Sequence, residues 1–213
     1  MKVLVTAGGT EEPVDAVRYI GNVSTGATGL AIVKQLKLRG HEVHLLQHQR
    51  AERSNHEVRT RSFRTFEDLE SHLREVLEEH FFDAIIHAAA VADYRVSGLT
   101  IGGVRKELAP DQKISIGQCL DVHLEPRPKL LDYLKAWSRN PDVVVIAFKL
   151  TSGMSQPEER QAVQLLLDSG KADLVAHNDV EAVGSERHMV TVFGIRGIIA
   201  ETQTKEALAE FLA

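Results

Sequence analysis

Short aliphatic runs alternate with segments of helical periodicity along most of this chain. The runs predict strands at Lys2–Ala7, Glu42–Leu46, within DAIIHAAA, at Val143–Phe148 and at Asp173–Ala176. The periodic segments predict helices at Gly26–Arg39, Phe66–Glu79, Lys129–Ser138, Glu158–Ser169 and Lys205–Leu212, with a hairpin through Val190–Ile199 before the last of them. Strand–helix–strand units of this kind form right-handed crossovers and a parallel sheet.

The regular alternation breaks between Tyr94 and Pro128. This stretch contains Gly-Gly and Ser-Gly turns and two alternating segments, QKISI and LDVHLEP, which are typical of exposed or edge strands. We interpret residues 94–128 as a β-arm outside the main sheet. The whole chain, residues 1–213, is then predicted to be one α/β domain, a Rossmann-like doubly wound, mainly parallel sheet with helices on both faces and this arm as an elaboration.

The composition supports this fold class and excludes some functions. Aromatic residues make up only 5% of the chain, which suits an aliphatic parallel sheet. A net charge of −5 argues against nucleic-acid binding, which needs a basic excess. The single cysteine, Cys119, cannot form an internal disulfide, and no apolar run reaches membrane-spanning length. We therefore expect a cytoplasmic protein with neither a nucleic-acid nor a membrane partner.

Ligands of doubly wound sheets bind beyond the carboxyl ends of the strands. Five segments fall there: TAGGT, QHQR, AAAVADY, FKLTSG and HNDV. A nicotinamide site would join the first strand, a glycine turn and a helix directly, but here Gly26 and Gly29 follow a long insertion. After the second strand the chain reads Gln47-His48-Gln49-Arg50 where an acid would bind ribose. An NAD(P)-binding reductase-like or regulatory protein stays open as the alternative.

The insertion carries two glycine-rich surfaces. Gly8-Gly9-Thr10 presents bare backbone at the end of the first strand, and Ser24-Thr25-Gly26 offers hydroxyls and amides at a helix start, a suitable anion cradle. Arg18 and Asn22 lie between them. The alternative is that the glycines only turn the chain and that Asn22 or Ser24 caps the helix.

The segments VTAGGTEEPVDAVRYIGNVSTGATG, AAAVADY, KIS and ADLVAHNDV resemble, in order and approximate spacing, the phosphopantothenoylcysteine synthetase family, also called phosphopantothenate–cysteine ligase. The resemblance covers nearly the whole chain and is to a stand-alone form of the domain. It implies a coenzyme A biosynthesis ligase that joins 4′-phosphopantothenate to L-cysteine through an acyl-nucleotide. A family member that binds nucleotide without turnover is a further alternative.

The resemblance also assigns roles to individual residues. It implies catalytic roles for Asn22, Arg18 and Lys113, where Lys113 neutralises phosphate charge. It implies nucleotide binding by Gly8, Gly9, Ser24, Thr25, Gly26, Ala90, Asp93 and Phe148. His87, within an aliphatic run, is instead expected to be a hydrogen-bonded core residue.

The family's cofactors and partners follow in the same way. The resemblance implies Mg²⁺ entering with CTP or ATP as co-substrate, no flavin, no protein-bound metal and a homodimer. The chain departs from the family pattern at Ala27, Ser115 and Ile116, which replace lysines, and at Lys149 beside Phe148. The choice between CTP and ATP and the role of Lys149 are therefore left open.

Overall fold

A computed structural model of the chain describes residues 1–52, 57–107, 111–115, 117–182 and 188–213. Its strands are β1 (Lys2–Ala7), β2 (Glu11–Pro13), β3 (Tyr19–Gly21), β4 (Glu42–His48), β5 (Arg59–Phe63), β6 (Ala84–His87), β7 (Tyr94–Ile101), β8 (Val104–Lys106), β9 (Leu120–Pro126), β10 (Val144–Thr151), β11 (Leu174–Asp179), β12 (Val190–Gly194) and β13 (Gly197–Thr202). Its α-helices are α1 (Ala27–Leu38), α2 (Phe66–Glu79), α3 (Leu134–Trp137), α4 (Gln156–Asp168) and α5 (Lys205–Leu212).

The main sheet is mostly parallel, as predicted. Across the described ranges it has eight strands in the order β13-β12-β11-β10-β6-β1-β4-β5. Neighbouring strands from β11 to β5 run parallel, and β12 and β13 add an antiparallel hairpin at one edge. The chain runs outward from β1 to β4 and β5 and then returns to β6 on the other side of β1. This reversal leaves a crevice at the carboxyl ends of β1 and β6, where such folds bind ligands.

Helices bury both faces of the sheet. On one face α2, α3 and α4 pack over Leu4, Ile85 and Val145, and on the other α1 and α5 pack over Val5 and Ile86. Neighbouring strand residues point to opposite faces, so both carry apolar side chains at the centre of the sheet. Within the described part of the chain, no helix has the length and apolar character needed to cross a membrane.

The predicted β-arm is confirmed as a separate antiparallel sheet in the order β8-β7-β9. It has a small apolar core in which Val96 and Leu99 of the arm meet Val14 from the loop between β2 and β3. Arg127, at the base of the arm, binds Glu12 at 2.9 Å and also Glu67. The base of the arm is therefore tied both to β2 and to the start of α2.

Two predicted elements differ from those observed. The described part of QKISI, residues 112–115, is not a strand, because its backbone bonds to a loop of the domain: Ala16 N donates to Gln112 O at 3.3 Å. The remaining residue, Ile116, lies outside the described residues. The predicted helix Lys129–Ser138 is instead a 3₁₀ turn at Leu130–Asp132 followed by the one-turn helix α3. The bonds from Asp132 N to Lys129 O and from Tyr133 N to Leu130 O span three residues, so the first turn is wound more tightly than an α-helix.

Outside the arm, three strands were not predicted. Strand β5 reads RTRSF and is exposed at every residue except Phe63. It therefore lacks the apolar pattern from which strands are predicted. It is a sheet edge, where charged side chains block unwanted pairing. Strands β2 and β3 pair antiparallel through Glu11↔Gly21 and Pro13↔Tyr19, so the long insertion after β1 is a small hairpin and not an open loop.

Helix α1 approaches β1 at a distance that only glycine permits. A Cβ atom built on Gly29 would lie 2.6 Å from Ala7 Cβ and 3.3 Å from Thr6 O. The first turn of α1 is therefore pressed against the carboxyl end of β1. This contact fixes the position of the amino terminus of α1 beside the carboxyl end of β1.

We predict that Gly29→Val destabilises the fold by about 2 kcal/mol, because the added methyl groups overpack this contact. Chemical denaturation followed by circular dichroism measures the loss. Lys34→Ala, at an exposed position of the same helix, is the matched control and should leave stability nearly unchanged. A Gly29→Val protein as stable as wild type would show that the helix can move away from the strand.

Candidate functional site

Two clefts open at the carboxyl edge of the main sheet. The loop cleft, about 650 Å³, is formed by the hairpin insertion, the start of α1 and the end of β4, and includes Gly9, Tyr19, Asn22, Ser24, Thr25, His48 and Arg50. The sheet cleft, about 400 Å³, lies over β6, β10 and α4, and includes His87, Ala89, Val91, Asp93, Lys129, Phe148, Lys149 and Lys171. The sheet cleft borders the segment Ala88–Asp93 that follows β6, and the loop cleft borders Gly9 and Thr10, which pair with that segment.

A backbone junction joins the two clefts. Gly9 and Ala90 form a parallel bridge, in which Thr10 N donates to Ala90 O at 3.1 Å and Ala90 N donates to Gly8 O at 2.8 Å. The side chain of Thr10 accepts a further bond from Ala92 N at 2.8 Å. The turn after β1 is thereby held against the segment after β6, and both clefts share this wall.

Asn22 lies at the junction. Its Nδ2 donates to Val91 O at 3.0 Å, which orients the amide while the residue lines the loop cleft. The backbone beneath it is tightly packed, since a Cβ atom on Gly9 would lie 2.6 Å from Asn22 O. Glycine at position 9 therefore lets the Asn22 loop approach the end of β1. An oriented amide can donate to charge that develops on a bound substrate.

The amino terminus of α1 faces the loop cleft. Gly26 precedes it with a φ of 78°, and no side chain caps the first turn. Thr25 Oγ1 makes only a long contact of 3.4 Å with Ala27 N. Unsatisfied amides and the helix dipole favour an anion at such a position. Gly8, with a φ of 94°, supports this region from beneath, where a Cβ atom would lie 2.6 Å from His48 Cβ.

A buried carboxylate that the sequence did not reveal stands behind this cleft. Glu11 is only 3% exposed, and its oxygens contact Arg50 Nη1 at 2.7 Å and Arg64 Nε at 2.8 Å. His48 Nε2 lies 3.4 Å from Glu11 Oε1, and burial lowers the pKa of His48, which leaves it neutral at pH 7. Glu11 and the two arginines together carry a net positive charge. No local motif signals this group, because its members come from three separate elements.

The sheet cleft combines small apolar residues with cations. Ala89, Val91 and Phe148 line it, together with Lys129, Lys149 and Lys171. Asp93 lies 3.9 Å from Lys129 Nζ, and Lys171 Nζ binds Asp132 at 2.7 Å. An apolar surface beside lysines suits a flat base joined to an anionic group. Asp93 and Phe148 are predicted site residues, whereas the lysines at 129 and 171 were not predicted.

His87 is a buried histidine at the base of the sheet cleft, as expected. Its Nδ1 lies 3.0 Å from Thr6 Oγ1, which also accepts a bond from Ala89 N at 3.0 Å. Burial lowers the pKa of His87 to about 4, so the ring is neutral at pH 7. The residue therefore connects β1 to the start of the Ala88–Asp93 segment.

Arg18 and Lys113 lie outside the two clefts. Arg18 binds Asp15, with Nε 2.9 Å from Oδ2, and its Nη2 also donates to Ile114 O at 2.8 Å. Asp15 is 1% exposed and accepts from Ile114 N at 3.1 Å, and these bonds, led by the one from Arg18, lower its pKa. Arg18 and Asp15 thus hold the segment that carries Lys113, and Lys113 lines a third cleft on the arm.

The structure groups the predicted site residues into four sets. Gly9, Asn22, Ser24 and Thr25 line the loop cleft, and Asp93 and Phe148 line the sheet cleft. Gly8, Gly26 and Ala90 form the backbone support of these clefts. Arg18 and Lys113 belong to the junction between hairpin and arm, apart from the other three sets.

The fold and its crevice define a Rossmann-like α/β domain with a polar two-part ligand site. A model of the DNA/pantothenate metabolism flavoprotein C-terminal domain family matches residues 1–213, and the chain belongs to this family. The coenzyme A biosynthesis bifunctional protein CoaBC of Thermococcus kodakarensis is 35% identical over 193 residues, which are 91% of this chain and 45% of that protein. The chain thus spans less than half the length of that relative.

Solved structures agree with the family assignment. The DNA/pantothenate metabolism flavoprotein from Streptococcus pneumoniae superposes with a TM-score of 0.87 at 28% identity, over 100% of this chain and 96% of the other. A Cab2 mutant in complex with phosphopantothenate-cysteine superposes with a TM-score of 0.74 at 19% identity, over 99% of this chain and 83% of the other. At that identity the second match shows a shared fold.

We predict that His87 makes stability depend on pH below neutrality. Its folded pKa of about 4 lies below the ordinary 6.5, so the unfolded chain binds a proton first as the pH falls. The stability is fully present above pH 6.5 and declines toward pH 4, by about 2 kcal/mol between pH 7 and pH 5.

His87→Gln should remove this part of the pH dependence. Denaturation of both proteins at pH 8, 7 and 5 measures it, and pH 8 gives the cost of the substitution itself, because the ring is neutral there in both states. Parallel losses of stability in wild type and variant between pH 7 and pH 5 would contradict the assignment.

Proposed function

We propose that this domain joins 4′-phosphopantothenate to L-cysteine at the expense of CTP or ATP, as phosphopantothenate–cysteine ligase in coenzyme A biosynthesis. Family membership supports the proposal, since the matched relative is a coenzyme A biosynthesis protein. The complex of Cab2 with phosphopantothenate-cysteine supports the choice of product. The observation that carries the proposal is the pair of clefts that meet at Asn22 and the Ala88–Asp93 segment.

The reaction has two steps. A carboxylate oxygen of phosphopantothenate attacks the α-phosphorus of the nucleotide, and pyrophosphate leaves with the electrons of the broken P–O bond. The amine of cysteine then attacks the acyl carbon, loses a proton, and the nucleoside monophosphate leaves. Both substrates are anionic, so the protein contributes mainly by alignment and charge neutralisation.

The sheet cleft suits the nucleotide, and the loop cleft suits the reacting groups. The apolar wall of Ala89, Val91 and Phe148 suits a nucleoside, and Lys129 and Lys149 suit its phosphates. Asn22 stands where the reacting carboxylate and α-phosphate would meet, and the amides at the start of α1 face the same space. In the described ranges no three His, Cys, Asp or Glu side chains could hold a metal ion. Mg²⁺ is proposed to be part of the nucleotide substrate, bound through phosphate oxygens.

Lys113 is proposed to neutralise phosphate charge from the arm. Arg18 is proposed to support it, because Arg18 and Asp15 hold the neighbouring Ile114 by both its N–H and its carbonyl group. A change at Arg18 then acts on turnover through the position of the arm segment.

A homodimer formed through the arm is part of the proposal. Large apolar side chains are exposed on the arm and the hairpin, among them Tyr94 at 53%, Leu124 at 45% and Ile20 at 41%. Exposed apolar patches mark interfaces in soluble proteins, and these side chains are proposed to form one.

We predict pyrophosphate release that requires phosphopantothenate, Mg²⁺ and either CTP or ATP, with phosphopantothenoylcysteine formed only when cysteine is added. A coupled pyrophosphate assay and mass spectrometry of the product measure these outcomes. Asn22→Asp should lower kcat by about 100-fold, because it removes a donor and adds a charge that repels phosphate. Gln161→Glu makes the same amide-to-acid change on the exposed face of α4 and should keep full activity.

Two results would contradict the proposal. One is the absence of pyrophosphate release with both nucleotides. The other is thermal protection by NADPH without protection by CTP or ATP, which would favour the reductase-like alternative. Unchanged turnover in Asn22→Asp, in a protein that folds normally, would remove Asn22 from the reaction.

We predict that the protein is a dimer at micromolar concentration and that Leu124→Lys shifts it toward monomer. The added charge would be buried in the proposed interface, which is unfavourable. Size-exclusion chromatography with light scattering measures the mass. Leu38→Lys, at an exposed apolar position at the end of α1, is the control and should stay dimeric. A monomeric wild type would rule out the dimer.

A further inference from the structure

We propose that Arg50 binds a phosphate group of a substrate in the loop cleft. The proposal rests on the proposed function for the identity of the substrates. Position 50 lies at the end of β4, far in sequence from the glycine-rich insertion, and nothing in the motifs assigns it a role.

The guanidinium of Arg50 is held on two sides. Its Nη1 contacts Glu11 Oε1 at 2.7 Å and donates to Tyr19 Oη at 2.8 Å, and the group lies 5.0 Å from the centre of the Tyr19 ring. Glu11 is buried, whereas the Arg50 side chain is 53% exposed at the cleft wall. A cation that is already oriented loses less freedom when it binds a ligand.

Arg50 supplies positive charge that the rest of the cleft wall lacks. Of the described residues that line the loop cleft, only Arg50 carries a permanent positive charge, because burial lowers the pKa of His48 and keeps it neutral. The carboxylate of Glu11 does not cancel this charge, since Arg64 Nε also binds it at 2.8 Å. The three groups together leave one net positive charge, while Glu52 is an exposed acid on the same cleft.

Groups that bind anions complete the same cleft. The hydroxyls of Ser24 and Thr25 line it, and α1 begins there without a side-chain cap. Its first turn has alanine at position 27 and no acidic side chain. A guanidinium, two hydroxyls and free helix amides are a combination that binds phosphate oxygens.

Two substrates of the proposed reaction carry such a group. One is the phosphomonoester of 4′-phosphopantothenate, and the other is the polyphosphate of the nucleotide. The chemistry that Arg50 recognises is common to both. A comparison of each ligand with its counterpart that lacks the phosphate separates the two sources.

The test is calorimetric binding of 4′-phosphopantothenate, pantothenate, ATP, CTP and adenosine to wild type and Arg50→Gln. We expect the variant to weaken binding of either phosphopantothenate or the triphosphates by about 10- to 100-fold, the effect of one charge-assisted contact. Binding of the matching counterpart, pantothenate or adenosine, should be unchanged. Weaker binding of phosphopantothenate identifies the phosphomonoester as the group that Arg50 binds, and weaker binding of the triphosphates identifies the polyphosphate.

Arg61→Gln is the matched control. Arg61 is an exposed arginine that contacts Glu75 at 2.8 Å and does not line the loop cleft, so this variant removes an arginine and its ion pair without touching the proposed contact. It should bind all five ligands as wild type does. Arg50→Lys keeps the positive charge but lacks the planar guanidinium, so it should recover part of the affinity that Arg50→Gln loses. Tyr19→Phe frees Nη1 and should weaken the same ligand to a smaller degree.

Equal binding of every ligand by wild type and a folded Arg50→Gln protein would overturn the proposal, as would equal losses for a ligand and its counterpart. If Arg50→Gln does not fold, wild-type affinities in Arg50→Lys and Tyr19→Phe overturn it. The binding measurements are independent of turnover. Failure of the proposed function appears as missing pyrophosphate release in wild type, whereas failure of this inference appears only in the variants.

Discussion

The backbone contact between the turn after β1 and the segment after β6 determines where the loop cleft and the sheet cleft meet. Gly9 and Ala90 form its bridge, and Thr10 adds a side-chain bond to Ala92 N. Only a residue without a Cβ atom allows the Asn22 loop to lie on the same turn, because that atom would be 2.6 Å from Asn22 O. The long insertion therefore builds a wall that two neighbouring clefts share.

Local charge and not net charge decides whether these clefts suit an anion. The chain carries −5 overall, yet the sheet cleft holds Lys129, Lys149 and Lys171, and the loop cleft holds Arg50 and the start of α1. The buried Glu11 orients two arginines instead of opposing the ligand, because each takes one of its oxygens. Such preorganised charge stabilises a reacting phosphate without the cost of reorienting water.

The sequence predicts what depends on local pattern and misses what depends on long-range pairing. Helix α2 forms over the predicted Phe66–Glu79, since its apolar stripe and its Thr65–Asp68 capping box are both local signals. Gly9 and Asn22 were also identified, because glycines and polar residues after a strand mark the rim of such sheets. The Glu11 group joins residues 11, 48, 50 and 64 only in the folded chain, and β5 presents polar side chains that resemble a loop.

The position of the arm also depends on long-range contacts, and these contacts connect the arm to the loop cleft. Its lysine-bearing segment pairs with no strand, because Asp15 and Arg18 take the N–H and carbonyl of Ile114. Asp15 and Arg18 belong to the same loop that leads into β3 and Asn22, so the arm is attached to the element that forms the loop cleft. Displacement of the segment therefore exposes the buried Asp15 carboxylate and disturbs the hairpin beside Asn22. Lys113 and Asn22 lie in different clefts, yet this shared loop makes the position of one depend on the position of the other.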